Sequence, residues 1–130
     1  MEEMTGRKAL LVDDERDMLT LLAKVLTKKC GCAVTTATSA EEALALVRAD
    51  PPEVVLTDIR MPGLDGLALM RKAEAELAPL ERPLFIIVSG HADFDYAKEA
   101  VRLGAFDYLI KPVDDGELED AMLRAAKRAG

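Results

Sequence analysis

The chain has 130 residues, with 17 basic and 24 acidic side chains and a formal net charge of −7. That length suits a single domain, 1–130 with a core of about 7–126, large enough to need no staple. The acidic balance excludes the clustered basic face of a nucleic-acid-binding module, and Cys30, Cys32 and a distant His91 are too few for a zinc site.

Lys8–Val12 reads as a first buried strand. Glu15–Lys29 follows with Met18, Leu19, Leu22, Val25 and Leu26 at helical spacing. Gly31 after Lys28-Lys29 is a helix stop, with Cys30 and Cys32 placed beside it as small buried or half-buried thiols. Cys32–Ala37 is a second strand, and Ser39-Ala-Glu-Glu42 is a capping-box signature for a helix ending before Asp50-Pro51-Pro52. Glu53–Thr57 is the third strand, Met61-Pro62-Gly63 a turn, and Leu67, Met70, Ala73 and Leu77 mark a third helix.

Leu84–Val88 is the fourth strand, entered between Pro79 and Pro83. Asp93–Leu103 is a fourth helix with Asp93 as N-cap and Gly104 as its C′ residue. Phe106–Ile110 is the fifth strand, and Asp114-Asp-Gly-Glu117 opens a last helix carrying Leu118, Met122 and Ala125 inward. Met1–Lys8 lacks the apolar core of a signal peptide, and no apolar run approaches a membrane span. A reducing, cytoplasmic location is expected.

Strands that are apolar without alternation are buried on both faces, as parallel strands covered by helices must be. Right-handed crossovers then put helices on both sides. The predicted fold is α/β, (βα)5, a doubly wound parallel five-stranded sheet of the flavodoxin-like kind. Its strand order, 2-1-3-4-5, belongs to that architecture and is not read from the spacing.

In such a sheet ligands bind outside the carboxyl ends of the strands. There stand Asp13 and Asp14, Asp58, Ser89 and Lys111. Three neighbouring carboxylates repel, by about 4 kcal/mol for two charges 4 Å apart at an effective dielectric of 20, and call for a cation. Mg²⁺ (or Mn²⁺), with its preference for oxygen, suits them. Helix capping accounts for Asp14 equally well, but poorly for Asp58, which Ile59-Arg60-Met61-Pro62 separates from any helix. The Lys111 ammonium can pair with the acids or with a phosphoryl oxygen. The Ser89 hydroxyl can donate to one, with Gly90 leaving room for its approach.

With these residues placed, the chain resembles the response-regulator receiver domains of bacterial two-component signalling, from about Lys8 to Arg124. The matching motifs are Leu-Val-Asp-Asp14, Leu-Thr-Asp58 with Met61-Pro62-Gly63 and Asp65-Gly66, Val-Ser89-Gly90, and Gly104-Ala-Phe-Asp-Tyr-Leu-Ile-Lys111-Pro112.

The resemblance implies that Asp58 accepts a phosphoryl group from the phosphohistidine of a sensor histidine kinase. It implies that Asp13, Asp14, Asp58 and the backbone carbonyl of Arg60 hold the metal. Lys111 contacts the phosphoryl group, Ser89 moves to bond it, and the Lys111–Pro112 bond is cis. Tyr108 matches the aromatic switch position, turning inward as Ser89 shifts and altering the face formed by the fourth helix, fifth strand and fifth helix. Phe94 and Tyr96 lie near that face and either shape a partner surface or belong to the core.

Arg60 and His91 depart from the small amide and acidic residues often found at their positions. They are expected to lengthen the lifetime of the phosphorylated state. Ser89–Val113 resembles receivers that precede ATPase and DNA-binding domains in transcriptional activators. A downstream effector domain or partner protein is therefore expected, with a homodimer through the fourth and fifth helices a further option.

The expected role is a self-phosphorylating switch rather than an enzyme acting on an external substrate. A haloacid-dehalogenase-like phosphatase also forms an aspartyl-phosphate, but requires Asp-x-Asp on the first strand where this chain has Asp13-Asp14. A non-phosphorylated pseudo-receiver conflicts with the full acidic set. A nucleotide or flavin module lacks its glycine-rich motif.

Overall fold

The computed structural model describes residues 5–90 and 93–129. In chain order the elements are β1 (Lys8–Val12), α1 (Arg16–Lys28), β2 (Ala33–Ala37), α2 (Ala40–Ala49), β3 (Val54–Asp58) and α3 (Gly66–Glu76). A 3-10 turn (Pro79–Glu81) leads to β4 (Leu84–Ser89), α4 (Phe94–Arg102), β5 (Asp107–Ile110) and α5 (Asp115–Ala129). All four strand pairings are parallel and the order is β2-β1-β3-β4-β5. This is the doubly wound, flavodoxin-like sheet expected.

The unbroken apolar runs are explained by two cores, one on each face. Successive strand residues point to opposite faces. Leu10, Val12, Val55, Phe85 and Ile87 therefore meet Val47, Leu69 and Met70 of α2 and α3. Ala9, Leu11, Val54, Leu56 and Ile86 instead meet Leu22, Leu26, Leu118 and Met122 of α1 and α5. Each fully buried Leu or Ile contributes about 1.5–3 kcal/mol, so these central strands are the most firmly held part of the molecule. Cys30 and Cys32 are free, buried thiols of the second core.

Caps close several of the helices. Ser39 Oγ accepts from Glu42 N at 3.1 Å, and Glu42 Oε1 accepts from Thr38 N at 2.8 Å, one residue before the expected partner of a capping box. Asp114 Oδ2 accepts from Glu117 N at 3.1 Å, as its position predicts. Gly104 turns the chain out of α4 with φ +104°, a conformation open to glycine. Asp93 stands at the N-cap of α4 as expected but makes no capping hydrogen bond, its φ −104° and ψ 19° being outside the extended region.

Element ends differ from the sequence reading by a residue or so. β2 starts at Ala33 rather than Cys32, and β5 at Asp107 rather than Phe106, although Phe106 N still donates to Phe85 O at 2.8 Å. The consequential differences are at the other ends. β3 includes Asp58 and β4 includes Ser89, in register as Asp58↔Val88 and Ser89↔Ile110. Both residues are thus fixed by the sheet ladder rather than carried on loops.

Candidate functional site

The carboxyl ends of β1, β3, β4 and β5 place the predicted polar residues at one edge. Val12 pairs with Thr57 and Asp58 with Val88, so the residues that follow β1 and end β3 lie side by side. Carboxylate oxygens of Asp13, Asp14 and Asp58 all lie within 4.8 Å of one another. Asp13 is 3% exposed and Asp58 8%, whereas Asp14 faces solvent.

Lys111 closes the cluster. Its Nζ donates to Asp13 Oδ2 and to Asp58 Oδ2, both at 3.1 Å. Its backbone N donates to Ser89 O at 2.8 Å, and its peptide bond to Pro112 is cis, as the resemblance implies. Burial weighs against the ammonium. The hydrogen bonds and charges of Asp58, then of Asp13, outweigh it and hold its pKa above the ordinary lysine value. Burial pushes the Asp13 carboxyl up from its ordinary value, against the pull of the Glu15 N–H and of Lys111. One ammonium therefore serves two largely buried carboxylates, and the site remains short of positive charge.

Two further groups complete the edge. Ser89 is fully buried and its Oγ has no hydrogen-bond partner. An unmade bond on a buried hydroxyl costs about 1–3 kcal/mol, and such an exception in a core calls for an explanation. Tyr108 is half-buried on β5, packed against the core that contains Ile87 and Ala105.

Arg60 N donates to Asp58 Oδ1 at 3.3 Å. Its guanidinium lies 3.0 Å from Asp93 Oδ1 and 5.0 Å from the centroid of the Tyr96 ring. Tyr96 is thus a surface ring, 41% exposed. His91 and the side chain of Phe94 lie outside the described residues.

Three residues not singled out for a role in the sequence hold the end of β3 and the loop after it. Thr57 Oγ1 donates to the Asp58 carbonyl at 2.9 Å. Gly66 packs so closely that a Cβ there would sit 2.4 Å from the same carbonyl oxygen. Asp65 caps α3, its Oδ1 accepting from Ala68 N at 2.8 Å. Asp-Gly after a turn was the available signal for the last two. Nothing in local spacing foretold the contact with Asp58.

The donor set fits a hard divalent cation. It offers oxygen ligands, two largely buried and one exposed, so a small ion could keep part of its water shell.

The profile of the family described as "Response regulator receiver domain" matches residues 9–123. This chain belongs to that family. The receiver domain is 42% identical over 119 residues to the C4-dicarboxylate transport transcriptional regulatory protein DctD of Rhizobium meliloti, covering 92% of this chain and 24% of that protein. It is 41% identical over 109 residues to the DNA-binding transcriptional regulator NtrC of Klebsiella pneumoniae, covering 84% of this chain and 22% of NtrC. The chain thus spans about a quarter of the length of these relatives. Among solved structures, a response regulator receiver domain protein from Clostridium thermocellum superposes with a TM-score of 0.84 at 36% identity, covering 94% of this chain and 95% of that one. The FixJ-N crystal structure does so with 0.83 at 34%, covering 95% and 96%. No helix among the described residues is long and apolar enough to cross a membrane.

Proposed function

We propose that this receiver domain, one unit over 1–130 with a core of about 7–126, accepts a phosphoryl group on Asp58 from the phosphohistidine of a sensor histidine kinase. The observation that carries the reading is the Lys111 ammonium, 3.1 Å from both Asp13 and Asp58, with the orphaned hydroxyl of Ser89 at the end of the neighbouring strand. An Asp58 oxygen attacks phosphorus, the P–N bond breaks, and its electron pair returns to the imidazole nitrogen. Asp58 is held for this by its place in the β3–β4 ladder and by Thr57 and Arg60 N.

Lys111 pairs with the new phosphoryl oxygens in place of the Asp58 carboxylate. Ser89 Oγ gains the acceptor it lacks, and its movement leaves space toward which the Tyr108 ring turns. The face of α4, β5 and α5 changes accordingly, a two-state packing shift biased by one added group. Asp13, Asp14, Asp58 and the Arg60 carbonyl would hold Mg²⁺ (or Mn²⁺). The ion's chemistry is to neutralise charge between Asp58 and the transferring oxygens.

The chain acts as a switch in the cytoplasm, not as an enzyme on an external substrate, and binds neither nucleic acid nor membrane itself. Its output passes to an effector domain or partner protein, by analogy with the transcriptional regulators it resembles, and a homodimer through α4, β5 and α5 is one route. Incubation with Mg²⁺ and acetyl phosphate should add the mass of one phosphoryl group. Asp58→Asn should remove that labelling and keep the circular dichroism of the fold. Equal labelling of the variant would overturn the assignment.

A further inference from the structure

Arg60 and Asp93 belong to different elements, the loop after β3 and the start of α4. Asp93 sits where an aspartate ordinarily caps a helix, yet its carboxylate makes no capping bond. Its side chain is 14% exposed and Oδ1 lies 3.0 Å from Arg60 Nε, close enough for charge pairing but without an aligned hydrogen bond. The same guanidinium rests on the Tyr96 ring, one turn into α4. A residue two positions from the acceptor is therefore tied to the first turn of α4 by two contacts. That helix goes without the cap its sequence provides.

An aspartate cap and a partly exposed ion pair are interactions of similar, modest strength. The Asp93 carboxylate thus has two near-equivalent partners, the Arg60 guanidinium and the N–H groups of Asp95 and Tyr96, which an N-cap side chain reaches. A phosphoryl group on Asp58 would bring more negative charge and more acceptor oxygens within the neighbourhood of Arg60 than a lone carboxylate offers.

We propose that Arg60 and Asp93 are an exchangeable pair that couples the charge on Asp58 to the start of α4. With Asp58 unmodified, Arg60 holds Asp93 off the helix. With Asp58 phosphorylated, Arg60 turns to the phosphoryl group, the Asp93 backbone rotates to the extended region, and its carboxylate caps α4. The inference rests on Asp58 as the phosphoacceptor and adds a second line of coupling beside Ser89 and Tyr108. Arg60 and Asp93 are positioning residues in it.

The test is amide hydrogen exchange of Asp95 and Tyr96, with labelling by acetyl phosphate and Mg²⁺ followed separately by intact mass. In the wild type, labelling should slow exchange of these amides by roughly five- to tenfold, the factor an N-cap is worth. Arg60→Gln should show the slow exchange without labelling. Asp93→Asn, which can cap but not ion-pair, should do the same. Asp93→Ala should exchange fast in both states. The proposal is overturned if labelled wild type and labelled Asp93→Ala exchange alike, or if unlabelled Arg60→Gln matches unlabelled wild type. Absence of labelling in every form would instead overturn the phosphoacceptor reading and the phosphorylation half of this proposal with it.

Discussion

Lys111→Met isolates the electrostatics of the site. The ammonium lies 3.1 Å from both Asp13 and Asp58, and at an effective dielectric of 20 each contact is a gross attraction of about 5 kcal/mol. The three carboxylates, within 4.8 Å of one another, repel pairwise by at least about 3 kcal/mol on the same scale. Desolvation of the lysine offsets much of the attraction. What methionine leaves behind is uncompensated charge on Asp13 and Asp58, with side chains 4% and 10% exposed. Removing one partner of a buried pair costs about 3–5 kcal/mol. Because the lysine side chain keeps 18% exposure, water can enter, and about 2–3 kcal/mol is the expected loss in metal-free buffer. Urea unfolding with and without Mg²⁺ measures it. A ligand at ten times its dissociation constant adds about 1.4 kcal/mol. In the variant that increment should be larger at equal Mg²⁺, since no ammonium competes for the carboxylates. Adding Asp58→Asn should recover part of the loss. A metal-free Lys111→Met within about 0.5 kcal/mol of wild type, far below the cost of breaking a buried pair, and with an unchanged Mg²⁺ increment, would refute the reasoning.

Gly66→Ala should cost about 1–3 kcal/mol in chemical denaturation, because the new carbon must displace the Asp58 carbonyl or α3. It should also slow acetyl phosphate labelling of the folded protein, since that carbonyl belongs to the proposed acceptor. Burial pushes the Cys32 thiol up to about 11. The unfolded thiol ionises first, so native stability should fall as pH rises from about 9 and level off above about 11, by about 2–3 kcal/mol in all. The difference between wild type and Cys32→Ala across that window, from urea midpoints, should narrow by this amount, and a constant difference would contradict it. An Arg60→Asn, His91→Glu double variant should lose its phosphoryl group about tenfold faster, about 1.4 kcal/mol of barrier, in a radiolabel decay assay.

The sheet was legible because buried parallel strands leave uninterrupted apolar runs, and Ala9–Val12, Val54–Leu56 and Leu84–Val88 are such runs in the structure. Asp13, Asp58, Ser89 and Lys111 could be placed together because strand ends in this architecture share one edge. The strand order came with the architecture, since pairing of β1 with β3 across an intervening helix leaves no local mark. The missing capping bond of Asp93, correctly placed as the N-cap, was not legible. Capping preference is a local tendency, and here a charge about thirty residues earlier, on Arg60, competes for the same carboxylate. The closeness of Gly66 to the Asp58 carbonyl depends on the path of the loop between them, which only coordinates supply.

The unsatisfied hydroxyl of Ser89 has a wider meaning for a domain of this kind. A resting form with every polar atom content would have nothing to gain from a new neighbour, and modification would then leave its shape alone. On the proposed reading, one dissatisfied donor in the interior would keep the two forms close in free energy and let a single small anion choose between them. Alanine at that position would give a sturdier molecule and a duller sensor.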